Sequence, residues 1–369
     1  MYRIMLRVLL VLLAAVGLIL TTASCKQEQI ETEPTTIQTQ PAETELETEP
    51  TETEPTETEP TEERFTLTFV GDCTLGSDPS HYGIMYSFIW TIGEDYDYPF
   101  RNVVQYFEND DFTIVNLEGT LCDGGSSSGA TFTFRGPTEY VNILTGSSVE
   151  AASFANNHTM DYRQAGYDST LETLQENGVA YVERDSSTLV TTESGLSIGL
   201  YAFYYTQDVE DMTAEIAALR EQGAEIVICS AHWGKEGSYR PMVTQKDPAH
   251  AAIDAGADIV YGHHPHVLQP IEEYGEGVIY YSMGNFCFGG NTYPKDLDSA
   301  ILQQEVIRDP DGTVHLGERT IIPVSCSSIP VQNNFQPTPY EEGTEEYDRI
   351  ISKLDGSWDG PDHVVSYDW

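Results

Sequence analysis

Phe65-Thr66-Leu67-Thr68-Phe69-Val70-Gly71-Asp72 is an apolar, β-rich run that stops on a glycine and a carboxylate. The same arrangement recurs along the chain. Val115-Asn116-Leu117-Glu118 closes a second run, and Phe154-Ala155-Asn156-Asn157-His158 a third, with Asp161 one turn further on. Cys229-Ser230-Ala231-His232-Trp233-Gly234 ends a later run, and Tyr261-Gly262-His263-His264-Pro265-His266 the next. Ser282-Met283-Gly284-Asn285-Phe286 ends the last. In open α/β sheets, ligands bind outside the carboxyl ends of the strands. Six strand ends therefore deliver Asp, Glu, Asn and His to one rim of a sheet.

The sequence around these motifs supports that reading. The expected strands are Phe65–Val70, Phe112–Val115, Ala151–Ala155, Ser197–Phe203, Glu225–Ser230, Asp258–Tyr261 and Val278–Ser282. Between them the pattern predicts helices over Phe100–Glu108, Gly166–Asn177, Thr213–Gln222 and Pro248–Ala255. Gly178, Gly223 and Gly256 stand where helix C-termini favour a left-handed residue. Strands alternating with helices predict an α/β domain with a largely buried sheet. The reading gives one such domain over 64–331, then an acidic stretch dotted with Pro and Gly over 332–369. That stretch is either a wrapped tail or a small helical cap around Glu345–Leu354.

The chain has 369 residues, of which 40% are hydrophobic, so a sizeable core is available. Its 17 basic residues against 60 acidic ones give a formal net charge of −43. Nucleic acid is excluded as a partner, because phosphate binding needs clustered Lys and Arg. Adhesion to anionic lipid through a basic surface is excluded on the same ground. The acidity either keeps an exported protein soluble or suits a cationic or metal-bridged partner. At the N-terminus, Arg3 and Arg7 flank the apolar run Val8–Leu20, which is shorter than the roughly 20 residues of a spanning helix. Thr22-Ala23-Ser24-Cys25 follows and resembles the lipobox of bacterial lipoproteins, with Thr22 where an aliphatic residue is usual. The resemblance implies a signal peptide over 1–24, cleavage before Cys25 and lipid on that cysteine. An uncleaved anchor helix is the alternative. Either leaves the domain at the cell membrane, on its extracytoplasmic face. Residues 25–63, with recurring Thr-Glu-Thr-Glu-Pro, predict a disordered acidic tether.

The residue types at the rim suit a divalent metal: imidazole with carboxylate fits zinc, manganese or iron without a thiolate. In an extended segment His264 and His266 project the same way, with Pro265 stiffening the pair. His232 comes from another strand, and Asp72 and Glu118 are nearby in the expected fold. Asn156, Glu236, Asn285 and Arg135 are candidates for holding substrate; Arg135 is also explained by a structural contact. Cys73 and Cys122, just beyond Asp72 and Glu118, are candidates for a disulfide. No Cys-x-x-Cys pair exists, which excludes a zinc ribbon or thioredoxin motif, and Cys229 reads as core.

Taken together, Gly71-Asp72, Asn116-Leu117-Glu118, Asn156-Asn157-His158 with Asp161, His232-Trp233-Gly234 with Glu236, Gly262-His263-His264-Pro265-His266 and Gly284-Asn285-Phe286 resemble the CapA family. Its members serve poly-γ-glutamate capsule synthesis and are similar to calcineurin-like metallophosphoesterases. The resemblance covers roughly Phe65 to Val331. It implies a four-layer sandwich of two sheets flanked by helices. It also implies one metal on Asp72 and His266, a second on Asn157, His232 and His264, and Glu118 bridging them. His158 would be a general acid oriented by Asp161. Two such ions activate water and hold phosphate oxygens. The implied partners are an anionic envelope polymer or phosphoester and other capsule-synthesis proteins. One departure stands out: phosphoesterases of this type carry Asp-x-His in the first motif, and here the triplet is Asp72-Cys73-Thr74. An enzyme acting on a polymer or phosphoester and a non-catalytic metal-binding scaffold of an export complex are therefore both open.

Overall fold

The computed structural model describes residues 61–205 and 208–364. The expected signal peptide, Cys25 and most of the tether lie outside them. In chain order the first elements are β1 (Glu63–Thr74), α1 (Phe88–Ile92), α2 (Val104–Phe107), β2 (Phe112–Leu117), β3 (Thr120–Leu121) and β4 (Arg135–Gly136). Next come α3 (Val141–Thr145), β5 (Ala151–Phe154), α4 (Arg163–Glu176), β6 (Ala180–Glu183), β7 (Ser186–Thr191) and β8 (Ser197–Tyr204). The middle continues with α5 (Val209–Glu221), β9 (Ile226–His232), α6 (Val243–Asp254), β10 (Ile259–His263), β11 (Ile271–Tyr274) and β12 (Gly277–Tyr280). The chain then forms β13 (Asn285–Phe288), β14 (Asp298–Arg308), β15 (Val314–Ser325), β16 (Thr338–Pro339) and α7 (Glu345–Leu354).

Two sheets carry the domain. The first has the order β16-β15-β14-β1-β2-β5-β6, with β13 pairing the far end of β1; the second is β11-β12-β10-β9-β8-β7. Strands β1, β2, β5 and β6 run parallel in one sheet, and β8, β9, β10 and β12 in the other. Phe65, Leu67 and Phe69 of β1 and Phe112 and Ile114 of β2 pack across the gap against Ile198, Leu200, Ile226, Ile228 and Ile259. The other face of the first sheet, with Val70, Val115, Leu117 and Phe154, is covered by Phe88, Phe107, Ile143 and Leu174 of the helices. The outer face of the second, with Phe203, Val227 and Val260, is covered by Met212, Ile216 and Leu219 of α5 and Ala249 and Ala252 of α6. The result is a four-layer α/β sandwich whose parallel strands are buried on both faces, as continuous apolar runs require.

The structure differs from the expectations locally. The helix expected over Phe100–Glu108 contracts to α2. α5 begins a turn early because the Asp208 side chain accepts from the Glu210 N–H. α6 starts at Val243 and runs through Pro248. The β14–β15 hairpin, absent from the expected elements, forms a long antiparallel flank. Residues 332–364 contribute β16, α7 and Phe335, which is buried under α1 and the first sheet. The Cys73–Cys122 disulfide is not formed: Cys73, Cys122, Cys229, Cys287 and Cys326 are all buried and free. Cys73 turns toward the helix-covered face beside Cys287, its partner across β13. Cys122 instead lies against Thr120 and the Gly124 carbonyl.

Candidate metal centre

The carboxyl ends of the parallel strands of both sheets meet at one rim. Alternation along β1 sends Phe65, Leu67 and Phe69 between the sheets and Val70 to the helix side. Continued regularly, it would send Asp72 to the helix side as well. The register with β2 shifts between Phe69 and Asp72, and the irregularity re-aims Asp72 inward, a use of bulges common at sites. Gly71 is needed there because a Cβ would lie 2.2 Å from the Gly284 carbonyl oxygen. The close approach lets the Asp72 N–H donate to that oxygen at 2.8 Å. Glu118, just past β2, is fixed by its own N–H on the Cys73 carbonyl at 2.9 Å.

Asp72 and Glu118 are both fully buried. Asp72 Oδ1 accepts from Asn116 Nδ2 at 2.9 Å and contacts His263 Nδ1 at 2.9 Å. Asn116 Nδ2 also reaches Glu118 Oε2 at 3.3 Å, while Asn116 Oδ1 accepts from Asn156 at 3.1 Å. His232 Nε2 meets Asn157 Oδ1 at 2.7 Å and comes within 3.8 Å of Glu118 Oε1. His266 Nε2 stands 3.7 Å from the same oxygen, and the His232 and His264 ring centroids are 4.8 Å apart. His158 Nδ1 pairs with Asp161 Oδ2 at 2.7 Å, leaving Nε2 3.9 Å from Glu118 Oε1. That same Asp161 oxygen accepts from the Phe134 N–H at 2.6 Å. Asn285 sits opposite Asp72 in the β1–β13 register and donates to the His266 carbonyl.

The segment 264–266 is not extended as expected. His264 and His266 both have positive φ, 93° and 55°, so a strained bend after β10 aims the two rings, rather than strand alternation. Such strain in non-glycine residues costs about 1–3 kcal/mol each and gathers at functional sites.

Seven buried side-chain atoms among the described residues have no hydrogen-bond partner: Asp72 Oδ2, Thr74 Oγ1, Glu118 Oε1, His263 Nε2, His264 Nδ1, His266 Nδ1 and Asn285 Oδ1. All belong to this rim. His266 Nδ1 and Asp72 Oδ2 are 2.9 Å apart, yet their angles do not make a hydrogen bond. The contact is electrostatic and both atoms keep unused capacity. Ligand atoms of Asp72, Glu118 and His266, and of Glu118, His232 and His264, lie within 4.8 Å of one another. Orphaned buried oxygens and imidazole nitrogens are costly in a finished core. A divalent cation would satisfy them, and the mixed oxygen and imidazole donor set suits zinc, manganese or iron.

The electrostatics agree. Burial pushes Glu118 well above the usual carboxylate range, opposed by His266 and reinforced by Asp72. Burial acts upward on Asp72 too, but neighbouring His263 and His266 hold it well below that range. His232 is driven well below its ordinary value by burial and then by His264. Burial and His266 push His264 down to about 3. Both rings are thus neutral, the form that binds metal. Although burial opposes it, Glu118 and Asp72 raise His266 to about 9, so the cluster itself draws in positive charge.

Asp72, Glu118, Asn157, His158, His232, His264 and His266 come together, with Asp161, Asn156 and Asn285 behind them. Arg135 is directed elsewhere, between the Tyr82 and Tyr162 rings at 5.5 and 4.9 Å. Two residues were quoted in the motifs without a role: Asn116, which ties Asp72, Glu118 and Asn156 together, and His263, which holds Asp72. Their signal was a polar residue one or two positions before a proposed ligand at a buried strand end.

The family described as bacterial capsule synthesis protein PGA_cap matches residues 66–290, more than half of the chain. The capsule biosynthesis protein CapA of Bacillus anthracis is 28% identical over 288 residues, 69% of this chain and 66% of the relative. The PGA biosynthesis protein CapA of Bacillus subtilis (strain 168) is 32% identical over 219 residues, 52% of this chain and 57% of the relative. The matches thus span less than two thirds of those relatives' own lengths. Among solved structures, the NAD nucleotidase of Haemophilus influenzae aligns with 82% of this chain and 65% of its own, at a TM-score of 0.41 and 10% identity. On the match over 66–290, the chain belongs to the PGA_cap family of bacterial capsule synthesis proteins.

Proposed function

We propose that this chain serves the synthesis or export of a poly-γ-glutamate-like capsule polymer, through a metal-dependent hydrolase or phosphoesterase-like site. The named roles of its relatives support the polymer. The chemistry rests on one observation above the others: seven buried polar atoms without a hydrogen bond converge on the rim that holds Asp72, Glu118 and the histidines. The lipobox-like Cys25 extends the proposal to a lipid-anchored protein on the outer face of the cell membrane. There it meets an anionic polymer or phosphoester and other capsule proteins.

In this reading Asp72, Glu118, Asn157, His232, His264 and His266 hold one or two divalent ions. When bound, these supply Lewis-acid polarisation and a nucleophilic water at neutral pH. The chain's own residues do the rest. Asp161, fixed by the Phe134 N–H, holds His158 by Nδ1, so Nε2 faces the centre and delivers a proton to a leaving oxygen. Asn116 and His263 orient Asp72, the supporting role that keeps ligands aimed. Thr74, standing where an imidazole is usual, favours a second reading: a metal-binding scaffold of an export complex without turnover. Metal analysis of purified protein together with hydrolysis of a generic phosphodiester decides. Bound metal with turnover supports the enzyme, bound metal without turnover the scaffold, and no bound metal defeats both.

A further inference from the structure

We infer that Glu236 is an additional metal ligand, a carboxylate that closes the solvent side of the centre over His264 and His266. The inference rests on the metal-centre reading and adds to it a residue that the family pattern of ligands leaves out.

The geometry carries it. A Glu236 oxygen and one ring nitrogen each of His264 and His266 lie within 4.8 Å of one another, the same mutual spacing that gathers the two buried groups. Glu118 is wholly buried at the floor of the site, whereas Glu236 is partly exposed at its edge. Two carboxylates thus approach the histidine pair, one from the core and one from the solvent side. His264 Nδ1 and His266 Nδ1 are both buried without a hydrogen-bond partner. The Glu236 carboxylate itself has no hydrogen-bond or ion-pair partner among the described residues, though it sits beside Glu118 and His266 closely enough to perturb both.

The donor count explains why such a residue is wanted. Asp72, Glu118 and His266 offer three donors, one short of a four-coordinate zinc site, because Thr74 supplies no imidazole. Glu236 brings a further oxygen, from a different loop, to His266 of that set and to its neighbour His264. That loop is held in place from two directions. The Gly237 N–H donates to the Pro265 carbonyl, between the two histidines, at 2.8 Å. The C-terminal stretch ties down the other side: the Val364 N–H donates to the Gly237 carbonyl at 2.8 Å, and the Tyr239 N–H to the Asp362 carbonyl at 2.9 Å. Arg240 adds an ion pair to Asp362 at 3.1 Å. A loop bonded to both the histidine bend and the chain end holds the backbone that carries Glu236 beside the histidine pair.

The test is manganese(II) binding to the full chain by titration calorimetry and electron paramagnetic resonance, on wild type, Glu236→Gln, Glu236→Asp and His264→Ala. The expected result is an affinity loss of at least about tenfold in Glu236→Gln, with thermal stability of the metal-free protein unchanged. Glu236→Asp keeps the charge but shortens the reach, so ligation predicts a loss there too, whereas a distant field effect would leave Asp at wild-type affinity. Wild-type affinity in either variant overturns the inference while leaving the centre standing. If wild type binds no manganese, zinc or iron, the metal-centre reading falls and this inference with it.

Discussion

Two buried charge clusters in this domain have opposite character. At the first sheet's flank, Asp298 is 2% exposed and Lys353 3%. Asp298 takes both oxygens to Arg349 at 2.7 Å, and Lys353 Nζ reaches Asp296 and Asp298 at 2.7 Å. The Tyr239 hydroxyl donates to Asp296 at 2.8 Å. Against the pull of burial, Arg349 and Lys353 keep Asp298 below the usual carboxylate range. Every buried side-chain oxygen and nitrogen of that cluster has a partner. At the rim, Asp72 and Glu118 are equally buried but keep atoms without one. Burial of charge therefore does not mark a site in this protein; a deficit of partners does. The complete cluster fastens α7 to the sheet, and the incomplete one keeps donor atoms that could hold a cation.

The sharpest break of that contrast is Asp298→Ala. It leaves Lys353 buried beside a reduced set of acceptors, and removing one partner of a buried pair costs about 3–5 kcal/mol. Denaturant unfolding should show that loss while metal content per folded molecule stays at the wild-type value. A cost under about 1 kcal/mol would mean completeness is not what holds the flank. At the rim, His158→Ala should keep its metal and lose about 10²–10⁴-fold in turnover, whereas His264→Ala should lose metal. Equal metal loss in both variants would erase the division between proton donor and ligand. Adding metal at 100 times its dissociation constant should stabilise wild type by about 2.7 kcal/mol. The same increment is expected in Asp298→Ala and a much smaller one in His264→Ala, read as melting-temperature shifts.

The smallest effect concerns a half-buried acid of a third kind. Glu150 is pushed up to about 7 by burial, despite its bond from the Thr113 N–H. Its folded value lies above its ordinary one, so the folded state holds the proton more tightly. Its contribution is full below about pH 4.5 and lost as pH rises through about 7. Glu150→Gln should flatten that decline and raise the melting temperature by about 1–3 °C at pH 8. No gain at pH 8 would mean the carboxylate is already solvated.

Much of the rim was readable in the chain because its polar residues follow strand ends: an apolar run followed by Asp, Asn or His needs no tertiary knowledge. The aim of Asp72 was not readable, since it depends on an irregularity after Phe69 that plain alternation contradicts. Nor was the bend at His264 and His266, which sits in a conformation that His seldom adopts. The β14–β15 hairpin went unread although Asp311-Gly312 between two β-rich runs is a turn signal; the many charges of 303–319 masked it. The helix Glu345–Leu354 was one of the two readings that the acidic tail allowed. Its reach to Asp296 and Asp298 was not, because nothing in sequence separates a salt bridge from a solvated face.

The irregularity in β1 also decides which element heads the rim. Were the strand to run straight from Phe69, Gly71 and Cys73 would face the space between the sheets, and Asp72 would turn toward the helices. A sulfur would then stand at the head of the site in place of an oxygen, shifting its preference toward soft metals and exposing it to oxidation. One kink in one strand thus keeps a thiol that lies next to Asp72 in sequence out of the rim. It does so without changing a single side chain.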